Sequence, residues 1–176
     1  AGGVGQILCQ WANHLGATVI GTVGSKEKGE IAKAHGAHHI IYYRDEDFVA
    51  RVKEITGGKL CDVVYDGIGK DTFPASLDCI RPIGMFVSFG SASGQIDAFN
   101  INILQTKGSL FATRPTLNNY VAKREDLVAT ANDLFNVVAS GAVKIPINQK
   151  YALKDAQKAH RDLEGRETTG SSILIP

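Results

Sequence analysis

The sequence lacks any imbalance of charge, any long apolar run and any crowding of cysteines. Its 19 basic and 18 acidic residues leave a formal net charge of +1, which gives no electrostatic support for a nucleic-acid partner. No apolar run approaches the roughly 20 residues of a membrane-spanning helix, and no signal-peptide pattern is present. We therefore expect neither nucleic acid nor a membrane as partner.

Cysteine chemistry is equally sparse. Cys9, Cys61 and Cys79 are odd in number and far apart, and neither a C-x-x-C motif nor a Cys/His metal spacing occurs. This predicts reduced thiols, a cytoplasmic location and no metal site. The chain also offers no Ser/His/Asp or paired-carboxylate arrangement, so we name no catalytic residue.

What is present begins with glycine. Gly2 and Gly5 have the spacing of the last two glycines in a G-x-G-x-x-G dinucleotide fingerprint, and an apolar helical pattern follows them. The strand that opens such a fingerprint does not precede them. We therefore expect a dinucleotide fold that is truncated before its first strand.

Helical and strand-like segments then alternate. This rhythm predicts an α/β, Rossmann-like, doubly wound parallel sheet with helices on both faces. The expected strands are Ala17–Val23, His38–Tyr43, Cys61–Tyr65, Met85–Phe89 and Ser109–Thr113.

Two helices in the later part of this pattern are predicted from their apolar faces. A short one carries Phe73, Leu77 and Ile80, and a longer one spans about Arg124–Ser140 with Phe135 facing inward. The alternation ends after Gly141. We expect residues 1–141 to form the dinucleotide-binding domain and residues 142–176 to return to a catalytic domain whose other part is not in this chain.

The end of the second strand decides the type of dinucleotide. NAD-binding units place Asp or Glu there to bind the ribose 2′-hydroxyl, whereas this chain has Gly21-Thr22-Val23-Gly24-Ser25 followed by Lys26 and Lys28. A hydroxyl and two lysines favour a 2′-phosphate. They are also the residues that cap and begin an exposed helix.

The loops after two later strands are small and rich in glycine. Asp66–Gly69 and Phe89–Ser91 lie where open α/β sheets bind ligands, at the carboxyl ends of strands. A flat cofactor ring could lie against them, although they could also be simple tight turns.

The motifs GGVG, LGATVIGTVGS, IIYYR, DVVYDGIG, VSFG, TRP, DAQKAH and GSSILIP occur in that order. In this order the chain resembles the NADPH:quinone oxidoreductases of the zinc-independent medium-chain dehydrogenase/reductase superfamily, over their cofactor-binding domain and C-terminal return. The resemblance implies NADPH as cofactor, hydride transfer to a quinone, no zinc, and a homodimer that pairs through Ser109–Thr113. It implies cofactor contacts at Gly2, Gly3, Val4, Gly24, Ser25, Lys28, Tyr43, Gly67, Ile68, Phe89, Gly90, Ser91, Pro115 and Arg166.

Other functions stay open. The related activity is reduction of an activated carbon–carbon double bond, as in an enone. Relatives also serve as non-catalytic NADPH-binding proteins of the lens and bind RNA, although the neutral charge counts against nucleic acid. A methyltransferase is disfavoured, because it needs an acidic residue after the second strand, where Gly21 stands. The chain alone is expected not to reduce quinones.

Overall fold

The computed structural model describes residues 2–165 and 167–176. Helices and strands alternate along most of this part of the chain. The helices are α1 (Gly3–His14), α2 (Lys26–Ala34), α3 (Phe48–Ile55), α4 (Asn102–Thr106), α5 (Leu117–Tyr120), α6 (Arg124–Ala139) and α7 (Ala156–Glu164). The strands are β1 (Ile20–Val23), β2 (His39–Tyr42), β3 (Cys61–Asp66), β4 (Ile80–Ser88), β5 (Phe111–Thr113), β6 (Ile147–Ala152) and β7 (Ser171–Ile175).

Every pairing between these strands is parallel. β1 pairs with β2, β3 with β4, β4 with β5, and β6 with β7, which gives three separate sheets among the described residues. A parallel pair needs a crossover between its strands, and helices or helical turns supply it here. The predicted parallel α/β organisation is confirmed.

The described residues divide into two compact units. The first comprises Ala1–Glu46 and Ala131–Pro176, and the second comprises Asp47–Thr130. These bounds differ from the expected division at Gly141, which was placed where the alternation of helices and strands ends and which stays a prediction.

In the first unit, α2 covers the β1–β2 sheet. Val23, Ala32 and Ala37 form its buried cluster. Tyr42 lies so close to α2 that a Cβ on Gly29 would come within 2.7 Å of its hydroxyl oxygen, so a larger residue at this helix position would displace the Tyr42 ring. The last residue of β2 therefore packs directly against the backbone of α2.

Helix α1 is tied to the C-terminal segment of the same unit. The Gln10 side chain donates to the Lys144 carbonyl and accepts from the Lys144 N–H, each at 2.9 Å. Gly2 forms a parallel bridge with Gly170. The glycine turn at the start of α1 is therefore positioned by residues near the other end of the chain.

The second unit has its own core beneath the β3–β4–β5 sheet. Leu77, Ile80, Phe86 and Leu110 are buried together there. Asp47 caps α3 by accepting from the N–H groups of Val49 and Ala50. This core supports the loops that follow β3 and β4.

Two expectations about elements are wrong. Ile80 begins β4 instead of ending a helix; the helical turn before it is a 3-10 turn over Ala75–Cys79. The strand buries the Ile80 side chain as fully as a helix would. Phe135 on α6 is 64% exposed, because the described residues leave that face of the helix uncovered. Apolar periodicity identifies such a face but not what covers it.

Candidate functional site

The glycine turn gives α1 a bare N-terminus. Gly2 is the N-cap residue, and no side chain caps the helix there. The first N–H groups of a helix have no partner within it, and together with the helix dipole they attract an anion. A Cβ on Gly3 would lie 3.2 Å from the Gly170 carbonyl oxygen, whereas Val4 is 64% exposed. Gly3 is thus required at least by its contact with the C-terminal segment.

At the carboxyl end of β1, the chain at Gly24 is covered by side chains from the turn after β2. The β1–β2 register pairs Val23 with Tyr42, and the Tyr43 N–H donates to the Val23 carbonyl at 3.2 Å. A Cβ on Gly24 would come within 2.7 Å of the Tyr43 hydroxyl oxygen and 3.2 Å of the Arg44 Nε. Gly24 therefore lets both side chains approach the backbone.

Ser25 is the N-cap of α2. Its hydroxyl oxygen accepts from the Lys28 N–H at 3.3 Å. Ser25 therefore caps the helix, as the capping interpretation predicted. Since its oxygen is the acceptor in this bond, its hydroxyl hydrogen can still donate to a phosphate. Gly24, Ser25 and Lys28 follow β1 and Tyr43 follows β2, so these four predicted residues lie near the ends of the two paired strands.

The loop after β3 is built around a buried carboxylate. Asp66 is 5% exposed. Its Oδ1 accepts from the N–H groups of Ile68 and Gly69 at 2.8 and 3.0 Å. Its Oδ2 accepts from the hydroxyls of Thr72 and Ser76, each at 2.7 Å. Four donors thus satisfy one charge and set the path of the loop.

The loop after β4 is locked to the loop after β3 through the main chain. The N–H groups of Ala92 and Ser93 donate to the carbonyls of Gly67 and Ile68 at 3.1 and 2.9 Å. A Cβ on Gly90 would lie 2.6 Å from the Gly67 carbonyl oxygen. The two loops form one rigid surface, which we call the double loop (residues 66–69 and 88–94).

Phe89 is the large side chain on the double loop. Its ring lies against Gly67, where an added Cβ would be 2.9 Å from the ring. It also meets Tyr65 edge to face, with 6.5 Å between ring centroids. Because Phe89 stays 42% exposed, it offers an apolar face beside backbone donors and acceptors.

Arg114, directly after β5, fastens the second half of the double loop. One guanidinium nitrogen donates to the Ser88 carbonyl at 3.1 Å and to the Gly90 carbonyl at 2.8 Å. The other terminal nitrogen donates to the Ser91 hydroxyl at 3.1 Å. Pro115 follows immediately, so the predicted residues Phe89, Gly90, Ser91 and Pro115 are brought together.

The predicted residues therefore form two groups, one in each unit. Gly2, Gly3, Val4, Gly24, Ser25, Lys28 and Tyr43 belong to the first, and Gly67, Ile68, Phe89, Gly90, Ser91 and Pro115 to the second. Arg166, also predicted, lies outside the described residues.

Three residues of these groups were missed by sequence reasoning: Arg44, Asp66 and Arg114. Arg44 and Arg114 contact residues distant in sequence, such as Ser88 for Arg114, whereas the partners of Asp66 lie within ten residues of it. For Arg44 a signal existed, since parallel register brings the residue after IIYY next to the end of β1. Asp66 and Arg114 stood inside segments already named, but nothing in the sequence indicated their bonds.

The three cysteines are all free. Burial raises the pKa of the Cys79 thiol to about 12 and raises those of Cys9 and Cys61 as well, which makes all three poor nucleophiles. Within residues 2–165 and 167–176 there is no group of three or more His, Cys, Asp or Glu side chains that could hold a metal ion. None of the helices described is long and apolar enough to cross a membrane.

The protein resembles known oxidoreductases over its full length. It is 57% identical to a quinone oxidoreductase of Salmonella typhimurium, over 100% of this chain and 54% of that protein. It is 48% identical to a 2-haloacrylate reductase of a Burkholderia species, over 100% of this chain and 53% of that protein. The chain thus spans about half the length of these relatives.

The fold agrees with these similarities. The crystal structure of an Escherichia coli quinone oxidoreductase complexed with NADPH matches with a TM-score of 0.96 at 54% identity, over 100% of this chain and 55% of that one. This confirms the Rossmann-like class of the sheet. A family model described as zinc-binding dehydrogenase matches residues 3–135. The chain therefore belongs to the zinc-binding dehydrogenase family.

Proposed function

We propose that this chain is the cofactor-binding part of an NADPH-dependent oxidoreductase that transfers a hydride to a quinone. The observation that carries the proposal is the end of β1, where no carboxylate stands between Gly21 and Ser25 and where the Tyr43 side chain lies against Gly24. Ser25 and Lys28 begin α2 beside it. A hydroxyl, an ammonium and a phenol suit a 2′-phosphate, which an Asp or Glu would repel.

The two groups of residues fit different parts of this cofactor. Gly2, Gly3 and Val4 present the uncapped start of α1 to the pyrophosphate, and the double loop with Pro115 receives the nicotinamide end. Arg166 is proposed to reach the cofactor from the C-terminal segment. The rings need a flat surface with backbone groups at its edge, and the close approach of Gly67, Gly90 and Phe89 supplies one.

NADPH would supply the hydride from its nicotinamide C4, and the chain would orient the cofactor. We assign no catalytic side chain, since the oxygens of a reduced quinone can take protons from water. The expectation that no zinc takes part stays a prediction, although the family as a whole is described as zinc-binding.

Reduction of an activated carbon–carbon double bond is the second candidate. The 48% identity to a 2-haloacrylate reductase favours it specifically. The same NADPH-binding residues serve either reaction. The acceptor would be chosen by residues outside this chain, in the part of the relatives that it does not match.

We further propose that residues 1–141 act as the cofactor domain and residues 142–176 belong with the substrate-binding part of the whole protein. The whole protein is proposed to be a cytoplasmic homodimer. Three unpaired cysteines are typical of a reducing compartment. β5 pairs with β4 along one edge, and Phe111 on it is 58% exposed, which suits pairing with a second copy.

Cofactor preference tests the proposal. We expect the whole protein to bind NADPH more tightly than NADH in fluorescence titrations. Lys28→Ala should weaken NADPH binding about tenfold or more, as expected for a charge-assisted contact, and leave NADH binding unchanged. Lys33→Ala, at the exposed far end of the same helix, is the charge-matched control. Equal affinity of the wild-type protein for both cofactors would refute an NADPH site.

A further inference from the structure

We propose that Arg44 is a second cationic residue that selects for the 2′-phosphate, beside Lys28. The inference rests on the proposed NADPH site and adds to it a residue that was not among the predicted cofactor contacts. It starts from the position of the Arg44 side chain, whose Nε lies 3.2 Å from the place of a Cβ on Gly24.

The turn after β2 fixes this position. The N–H groups of Asp45 and Glu46 both donate to the Tyr42 carbonyl at 2.9 Å. The turn directs Arg44 back over the end of β1 instead of onward along β2. Since Tyr43 also donates to the Val23 carbonyl, the backbone on either side of Arg44 is held to the first unit.

The charges around Arg44 leave its guanidinium accessible. In the part of the chain that the structure describes, no ion pair within 4 Å involves Arg44. The neighbouring Glu46 carboxylate turns to the Tyr42 N–H, at 2.6 Å. Arg44 itself is exposed. Among the described residues, then, no ion-pair partner explains the position of this exposed cation beside the end of β1.

The chemistry of the side chain explains it. A guanidinium is planar and always charged, and its parallel donors match two phosphate oxygens at once, whereas an ammonium acts as a point charge. Arg44 lies at Gly24, and the backbone N–H of Lys28 donates to the hydroxyl of the next residue, Ser25, at 3.3 Å. A 2′-phosphate bound over Gly24-Ser25 would be contacted from two sides. NADH has only a hydroxyl at this position and could not form these contacts.

Substitution of Arg44 in the whole protein tests this. NADPH and NADH are titrated separately by nicotinamide fluorescence into the wild-type protein, Arg44→Gln, Arg44→Lys and the control Lys33→Gln. Arg44→Gln should weaken NADPH binding about 10-fold to 100-fold, the effect of losing hydrogen bonds to a charged group, with NADH binding unchanged. Arg44→Lys should recover part of the loss, and Lys33→Gln should show none.

The outcomes separate this inference from the proposed function. If the wild-type protein prefers NADPH and Arg44→Gln keeps the same ratio of affinities, Arg44 has no such role and the NADPH site stands. A loss shared equally by NADPH and NADH also overturns the inference, because it would indicate a structural effect. A wild-type protein without any preference overturns both. The thermal unfolding midpoint of Arg44→Gln should stay at the wild-type value, since the side chain is exposed.

Discussion

At the scale of single residues, Asp66 is the most constrained group of the candidate site. A buried carboxylate is costly unless it is hydrogen-bonded on both oxygens, and Asp66 receives two backbone N–H groups and two hydroxyls. Its role is to give the loop after β3 one shape. The two glycines that follow, Gly67 and Gly69, leave the backbone of this loop without side chains.

Asp66→Ala should therefore be strongly destabilising. It leaves the donors of Ile68, Gly69, Thr72 and Ser76 without their acceptor, and we expect the free energy of unfolding to fall by about 2–4 kcal/mol. Urea unfolding followed by circular dichroism measures this. Asp97→Ala, at an exposed position, should change it by less than about 0.5 kcal/mol. A similar small change for Asp66→Ala would contradict the role given to this carboxylate.

The sequence could predict the position of this loop but not its construction. The DVVYDGIG segment contains the end of a strand, and the glycines after that strand indicate backbone that a ligand can approach. The hydroxyls that bind Asp66 lie 6 and 10 residues further on, in a segment whose turn no local pattern specified. Arg44 and Arg114 escaped notice for the same reason, since their contacts depend on the register of parallel strands.

At the scale of elements, β5 controls the loop after β4 through Arg114. The strand itself is only three residues long, yet its register against β4 places Arg114 where it reaches Ser88, Gly90 and Ser91. Neutral loops of this size move readily. The contacts of the Arg114 guanidinium attach the loop after β4 to the sheet.

Replacing Arg114 should loosen that loop while the sheet stays folded. In Arg114→Met we expect the amides of Phe89, Gly90, Ala92 and Ser93 to exchange hydrogen for deuterium about tenfold faster. Without the Arg114 contacts the loop opens more often, and the hydrogen bonds of these amides break with it. Arg114→Lys should give an intermediate rate. Mass spectrometry of the peptide covering residues 88–94 reports it.

Arg124→Met, which removes an exposed arginine of α6, provides the comparison. It should leave exchange in this peptide at the wild-type rate. Unchanged exchange in Arg114→Met would show that the main-chain bonds between the two loops suffice and that Arg114 contributes nothing to their rigidity.

Among elements, the order of helices and strands could be predicted because each strand is a short apolar run and each helix has an apolar face. The error at Ile80 shows the limit of this reasoning. Of three apolar residues at helical spacing, Leu77 is buried in a 3-10 turn and Ile80 at the start of the strand that follows, whereas Phe73 precedes the turn and is partly buried. Burial was predicted correctly, but the backbone that achieves it was decided by pairing with Cys61 of β3.

At the scale of the whole molecule, the edge of the β3–β4–β5 sheet is the place where a second copy is proposed to pair. Phe111→Glu puts a charge on that edge, which opposes strand pairing. We expect the whole protein to shift from dimer to monomer in sedimentation velocity experiments. Leu163→Glu, on an equally exposed apolar residue of α7, should stay dimeric. A monomeric wild-type protein, or a dimeric Phe111→Glu variant, would exclude pairing through β5.

Also at this scale, membership of the family could be inferred from the order of motifs, because glycine turns and strand ends recur at fixed positions. Division of the chain into compact units could not. The bridge between Gly2 and Gly170 joins residues from opposite ends of the sequence, and no local sequence pattern predicts such a contact.

The crowding at Gly24 bears on how cofactor preference could change over generations or by engineering. The simplest route to an NADH enzyme is an acidic residue at this position. Here a side chain would meet the outer ends of the exposed Tyr43 and Arg44 side chains, whose nearest atoms lie 2.7 and 3.2 Å from the Cβ position. An acid at Gly24 would therefore require both side chains to move. We expect a variant that binds NADH well to need changes at these neighbours as well as at Gly24.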